Sequence, residues 1–145
     1  MESGDILLSR WIDDSNNSTP GYWNHTALYV GNGQLIESVF GKGVIISEFE
    51  EWKHNVGRYC VLRPENSHKI NKNKTISFAK SKIGVKYSMF SSISRIWRMF
   101  GVNCVSLVRQ SYNRGGLKVK WKYPDCIHDD TRLKIVEITT LSLEE

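Results

Sequence analysis

The sequence predicts an α+β fold, on three observations. Strand-like runs fill the first half of the chain and helix-like patterns the second, the segregation expected of α+β proteins. A hairpin signal, Gly31-Asn32-Gly33, separates two runs rich in β-branched and aromatic residues. A capped apolar stripe begins at Asn103 and stops at Gly115-Gly116. At 145 residues and 40% apolar content, one domain spanning 1–145 is expected.

"DILLSRW" opens the strand series as a short apolar run, and "DDSNNSTPGY" follows as a polar, turn-rich loop. "HTALYVGNGQLIESVF" supplies the two hairpin strands, and "GVIISEFEEW" and "RYCVLRP" read as further strands, the last closed by Pro64. Between Lys69 and Ile83 the apolar residues partly fit a helical stripe, and Gly84 fits its stop. In the helix after Asn103, residues Cys104, Leu107, Val108, Ser111 and Tyr112 fall at i, i+3, i+4, i+7 and i+8. Asn103 suits an N-cap and Gly115-Gly116 a C-terminal exit. "RLKIVEI" reads as a returning strand.

Charge is unevenly spread. Residues 66–125 hold 13 Lys/Arg against a single Asp, a net +12, between segments of −4 and −3. Such a block suits an anionic substrate, an anionic surface or nucleic acid. It lacks the dense run of a nucleic-acid arm, and its charges alternate with helix-like apolar positions. Nucleic acid is therefore disfavoured, and a membrane surface is compatible without being indicated. No run approaches a membrane span and no secretory signal is visible. Cys60, Cys104 and Cys126 are too few and too widely spaced for a disulfide framework, so a reducing, cytoplasmic location is expected.

The cysteine beside the N-cap is the chemical focus. Free N–H groups and partial positive charge at a helix start favour a thiolate and could hold an oxyanion, although on this helix alone a free cysteine is more readily a small core residue. His25, which opens "HTALYVG", is the available base, and Glu37 stands in the partner strand. The hairpin register decides whether these two meet. A three-residue loop would pair Val30 with Gln34, set Ala27 opposite Glu37, and put His25 and Glu37 on one side. A two-residue Asn32-Gly33 turn, favoured by turn statistics, would send Glu37 to the other side.

His54, His68, His128, Cys60 and Cys126 have no metal-ligand spacing, and "CIHDD" reads as a polar loop, so no metal is expected. The five tryptophans are scattered, which suits core or pocket lining better than a stacking platform. "GKGV" lacks phosphate-loop spacing, and no cofactor is indicated.

"GDILLSR", "NHTALYVGNGQLIES", "IGVKYSMF" and "NCVSLVRQSY" occur in an order that resembles the circularly permuted branch of the NlpC-like, papain-fold cysteine hydrolases. The likeness runs from Gly4 to about Tyr112. It is shared with lecithin-retinol acyltransferase-like proteins, and Glu37 is more similar to the third residue of bacterial YiiX-type proteins. The resemblance implies a permuted papain-like fold: an antiparallel sheet packed against helices that include the nucleophile helix. It implies Cys104 as nucleophile, His25 as general base and acid, and Glu37 as the residue that orients His25. On that footing the three-residue loop is preferred. Tyr87 matches a recurrent Gly-x-x-Tyr and is expected to line the pocket, with Asn24 and Asn103 as further substrate contacts. Cys104-Val105-Ser106-Leu107 departs from the common bacterial Cys-Ser-Glu-Leu, which bears on substrate class.

The expected activity is that of a cysteine peptidase or amidase working through a thioester. Its substrate would be a small peptide or a γ-glutamyl or isopeptide-like amide, an anionic one suiting the basic block. Two alternatives stand beside it: a lipid acyltransferase, thioesterase or phospholipase on the same residues, and a non-catalytic binding module using residues 66–125.

Overall fold

The computed structural model describes residues 1–11, 21–65, 69–88 and 101–139. The expected polar loop from Asp13 to Tyr22 lies largely outside them, as do His68 and Trp97. The described elements run β1 (Ile6–Arg10), β2 (His25–Gly31), β3 (Gln34–Val39), β4 (Gly43–Glu48), α1 (Phe49–Asn55), β5 (Arg58–Pro64), α2 (Lys72–Ser81), α3 (Cys104–Gly115), α4 (Pro124–His128) and β6 (Leu133–Ile138). The strands form one sheet in the order β4-β3-β2-β1-β5-β6, every neighbouring pair antiparallel. The α+β expectation holds.

β1 sits inside the sheet, and the consecutive residues Ile6, Leu7 and Leu8 are all fully buried. Both faces of the sheet are therefore covered, which explains a continuous apolar run in place of alternation. On one face Ile6, Leu8, Leu28, Ile36 and Leu62 pack against Val105 and Val108 of α3. On the other, Leu7, Ala27, Leu35 and Val61 pack against Phe49 and Trp52 of α1. Alternation along the strands thus assigns every residue of β2 and β3 to a helix face or an α1 face.

α1 corrects the expectation that "GVIISEFEEW" is all strand. β4 ends at Glu48, which becomes the helix N-cap. Phe49 and Trp52, three apart, bury one side, while Glu50 and Glu51 stand in the first turn and Lys53 and His54 in the last, as the helix dipole favours. A second correction lies in "CIHDD": part of it belongs to α4, which Pro124 starts and the fully buried Ile127 anchors. α2 is shorter than the Lys69–Ile83 stripe. It begins at Lys72, where the Asn71 side chain accepts the Lys74 N–H, and its buried residues are Thr75 and Ala79.

The body of the hairpin β2–β3 keeps the preferred register, in which Ala27 stands opposite Glu37, but its turn differs. Gly31, and not Val30, pairs with Gln34. The turn is therefore the two-residue Asn32-Gly33, with φ of 53° and 74°, positive at both central positions as a type I′ turn requires. A bulge between Tyr29 and Gly31 then shifts the pairing, so that Tyr29 faces Leu35 and Leu28 faces Ile36. Leu28 and Ile36 both belong to the helix face. His25 and Glu37, odd-numbered like Ala27 and Leu35, consequently share the α1 face. The expected outcome arises by a different turn.

The start of α3 is bound to the sheet through a short relay. Val44 N–H donates to the Val85 carbonyl (2.9 Å), Tyr87 bridges Val102, and Val102 N–H donates to the Lys86 carbonyl (3.0 Å). The buried Ser38 hydroxyl donates to the Val102 carbonyl at 2.7 Å, tying β3 to the residue two before Cys104. Gly43 makes the close approach possible: its φ is +79°, and a Cβ there would lie 2.4 Å from the Val85 carbonyl oxygen.

Gly43→Ala is accordingly expected to lower the unfolding free energy by about 2 kcal/mol or more, through clash and backbone strain together. Gly33→Ala, where φ is +74° but nothing lies within 4 Å, should cost about 1 kcal/mol from strain alone. Urea unfolding of the two variants measures the difference; equal losses would remove the close-approach explanation.

Candidate active site

α3 presents Cys104 as its first residue. Asn103 caps it reciprocally: its side-chain oxygen accepts the Ser106 N–H at 2.8 Å, while the Ser106 hydroxyl accepts the Asn103 N–H at 2.9 Å. Gly116 ends the helix in the left-handed conformation. This cap fixes where the helix begins, and so where the sulfur stands. Asn103 serves as the helix cap and is not among the described residues that line the cleft.

His25 opens β2 and Glu37 sits near the end of β3. His25 Nε2 and Glu37 Oε1 are 2.7 Å apart, with both residues at least nine-tenths buried. Because Nε2 is taken by the carboxylate, Nδ1 is the ring nitrogen left for the Cys104 thiol, which also interacts with the ring. Cys104 belongs to the helix-side core, whereas His25 and Glu37 stand on the α1 face of the sheet.

The electrostatics follow from this sandwich. Burial by itself pushes the imidazole towards neutrality, but hydrogen bonding and charge interaction with Cys104 and Glu37 outweigh it and raise the His25 pKa from 6.5 to about 10. For Glu37 burial opposes ionisation, and the His25 bond and charge prevail to lower its pKa, with smaller help from Ser47 and Trp52. Trp52 packs close to this carboxylate, although its buried indole N–H reaches no acceptor at hydrogen-bond distance.

Cys104 and His25 open onto a cleft of about 590 Å³. Tyr87 and Asn24, two of the expected substrate contacts, line it. Asn24 is partly engaged elsewhere: its side-chain oxygen accepts the Trp11 N–H at 3.0 Å. Trp11 lines it too, as one of the tryptophans expected in core or pocket lining, and Ser38, Phe40, His54, Asn55 and Val56 are lining residues that sequence reasoning does not single out. Trp11 lies over His25, ring centroids 5.3 Å apart, and its indole N–H donates to Ser9. The signal for Phe40 was a large apolar residue set directly before Gly41; α1, which brings His54 and Asn55, was read as strand. Among the described lining residues none is Lys or Arg, so the charges of the basic block do not form this part of the cleft.

Among the described residues no group of three or more His, Cys, Asp or Glu is arranged to hold a metal ion, and no helix is long and apolar enough to cross a membrane. Cys60 is fully buried in the core, and burial pushes its thiol up to about 11. Trp23, Trp52 and Trp121 are buried, in keeping with a packing role.

The model of a family described as permuted papain-like amidase enzymes, YaeF/YiiX, C92, matches residues 1–139. The γ-DL-glutamyl hydrolase of Bacillus subtilis (strain 168) is 28% identical over 115 residues, covering 79% of this chain and 26% of that protein. The chain thus spans about a quarter of that relative's length. The crystal structure of metalloprotein YiiX from Escherichia coli O157:H7 is similar in fold, with a TM-score of 0.74 at 19% identity over 94% of this chain and 96% of that one.

The paired shifts set a pH dependence. The stabilisation from His25, whose folded value is raised, is complete below pH about 6.5 and is lost as pH rises towards about 10. That from Glu37, whose folded value is lowered, is complete above pH about 4.5 and is lost as pH falls below it. The stability difference between wild type and Glu37→Gln should therefore be widest between pH about 4.5 and about 6.5, and should shrink on both sides. Urea unfolding across pH measures it, and a difference independent of pH would refute the buried charge pair.

Proposed function

The chain belongs to the YaeF/YiiX, C92 family of permuted papain-like amidases, and on that premise we propose that it is a cysteine amidase whose reactive group is Cys104. The observation that carries this reading is the 2.7 Å contact of the buried His25 and Glu37 side chains, with Cys104 on the other side of the same imidazole.

His25 already holds the proton of Cys104 as an imidazolium, and the sulfur attacks the carbonyl carbon of the amide. The oxyanion is stabilised at the positive end of α3, where the Cys104 N–H is the proposed donor. Collapse breaks the C–N bond, and His25 gives its proton to the leaving amine. A thioester remains on Cys104. Water, deprotonated by His25, then attacks the thioester; its C–S bond breaks and the thiol recovers the proton. Glu37 keeps Nε2 protonated and Nδ1 directed at the sulfur, and it balances the imidazolium that forms.

The substrate class proposed is a γ-glutamyl or similar isopeptide-like amide. Its support is the name of the Bacillus subtilis relative, together with a cleft large enough for a dipeptide-sized group beside Cys104.

Release of amine from γ-glutamyl amides tests the reading. Cys104→Ala and His25→Ala should each lose about a thousandfold or more in kcat/KM, and Glu37→Gln about ten- to a thousandfold. Full activity in Cys104→Ala would end the cysteine mechanism. Turnover of acyl thioesters but of no amide by the wild-type protein would retain the chemistry and replace the substrate class.

A further inference from the structure

Phe40 is the most exposed large apolar side chain among the described residues, at 74%. Its ring stands largely in solvent, yet its backbone is firmly held. Phe40 follows β3 directly, in the turn that the Lys42 N–H closes onto the Val39 carbonyl at 3.0 Å. That turn is bound through Gly43 and Val44 to the segment carrying Tyr87. The rings of Phe40 and Tyr87 meet edge to face, with centroids 5.6 Å apart and planes at 83°. Tyr87 bridges Val102, two residues before the sulfur. An exposed aromatic is thus mounted on the same frame as Cys104 and lines the same cleft.

The opposite wall continues this chemistry. Trp11, over His25, keeps 37% exposure, and Val39 and Val56 contribute aliphatic surface. Besides His54 and Asn55, the lining has two short polar side chains that are committed to the protein. Ser38 donates to the Val102 carbonyl, and Asn24 is bonded to the backbone of Trp11. No Asp, Glu, Lys or Arg is among the described lining residues. Apart from the His25 imidazolium, already paired with Glu37, a charged substituent beside the scissile bond would find no opposite charge in that lining, whereas an apolar one would be covered by aromatic faces.

We propose that Phe40, with Tyr87 and Trp11, forms an apolar subsite beside Cys104 that takes an aromatic or branched apolar group attached on the amine side of the scissile amide. This deepens the amidase reading and rests on it for the nucleophile. The substrate class becomes an amide whose leaving amine carries a bulky apolar substituent.

The test uses haloacetamides, whose amide carbonyl stands beside the alkylated carbon and whose nitrogen bears the variable group. Cys104 sulfur displaces iodide from each, forming the S–C bond as the C–I bond breaks. Rates are read by peptide mass mapping at Cys104 for iodoacetamide, its N-benzyl derivative and its N-carboxymethyl derivative, with Cys104→Ala as the blank. The N-benzyl reagent should react about tenfold faster than iodoacetamide and the N-carboxymethyl reagent no faster. Phe40→Ala should bring the benzyl ratio to within about twofold of unity, and Phe40→Leu should retain part of it. Ile135→Ser, on the exposed surface of β6, should keep the full ratio. Equal rates in wild type, or a ratio untouched by Phe40→Ala, would overturn the subsite while leaving the nucleophile in place. Failure of every reagent to label Cys104 in the native protein would overturn the amidase reading and the subsite with it.

Discussion

The candidate site depends on one contact, the 2.7 Å bond between His25 and Glu37, made inside the protein where neither group could stand alone. A buried imidazolium or carboxylate without its partner would carry the full cost of leaving water. Together they keep each other ionised: Cys104 first and then Glu37 raise the value of His25, and His25 in turn lowers that of Glu37. The bond exists because β2 and β3 are neighbours and because their register puts both residues on the α1 face. One residue of slip would turn Glu37 towards α3 and leave His25 unsupported. The bulge between Tyr29 and Gly31 prevents that slip, and Ser38, the next residue of β3, reaches the other face to hold Val102. One strand therefore positions the carboxylate on one side and the approach to the sulfur on the other.

This division shows which features were legible in the sequence. α3 was fully so, because its cap, stripe and glycine exit are local signals that agree with one another. β1, β2, β3 and the returning β6 were legible from composition and turns. The hairpin register was not. Asn32-Gly33 correctly signals the two-residue turn, but that turn alone places Glu37 on the wrong face. The compensating bulge comes from Gly31, and Gly31-Asn32-Gly33 accommodates either loop equally well. A resemblance reached the right side with the wrong turn, while the physical cause was a bulge that no pattern of alternation announces. α1 was missed because Phe49 and Trp52 also continue the apolar spacing of β4, and seven residues give too few turns for a helical period to stand out.

The cleft joins two unlike environments. At its base stand the Cys104 thiol and the His25 imidazole, with the Glu37 carboxylate bonded behind the ring. At its rim Trp11, Phe40 and Tyr87 supply aromatic surface with no fixed charge among the described lining. The +12 block of the sequence, which suggested an anionic substrate, does not supply that lining. In the proposed reading different segments carry the two properties: the hairpin and the start of α3 supply the reacting groups, and the β3–β4 turn with the segment carrying Tyr87 supplies the substrate surface.

The protonation state of the His25 ring tests the central claim most directly. With ¹⁵N-labelled histidine, NMR across pH about 5 to about 11 reports each ring nitrogen separately. The account predicts that both His25 nitrogens stay protonated until pH about 10, with the Nε2 proton shared with Glu37. A ring that titrates near 6.5, as an ordinary histidine does, would contradict the buried array on which the proposed chemistry depends.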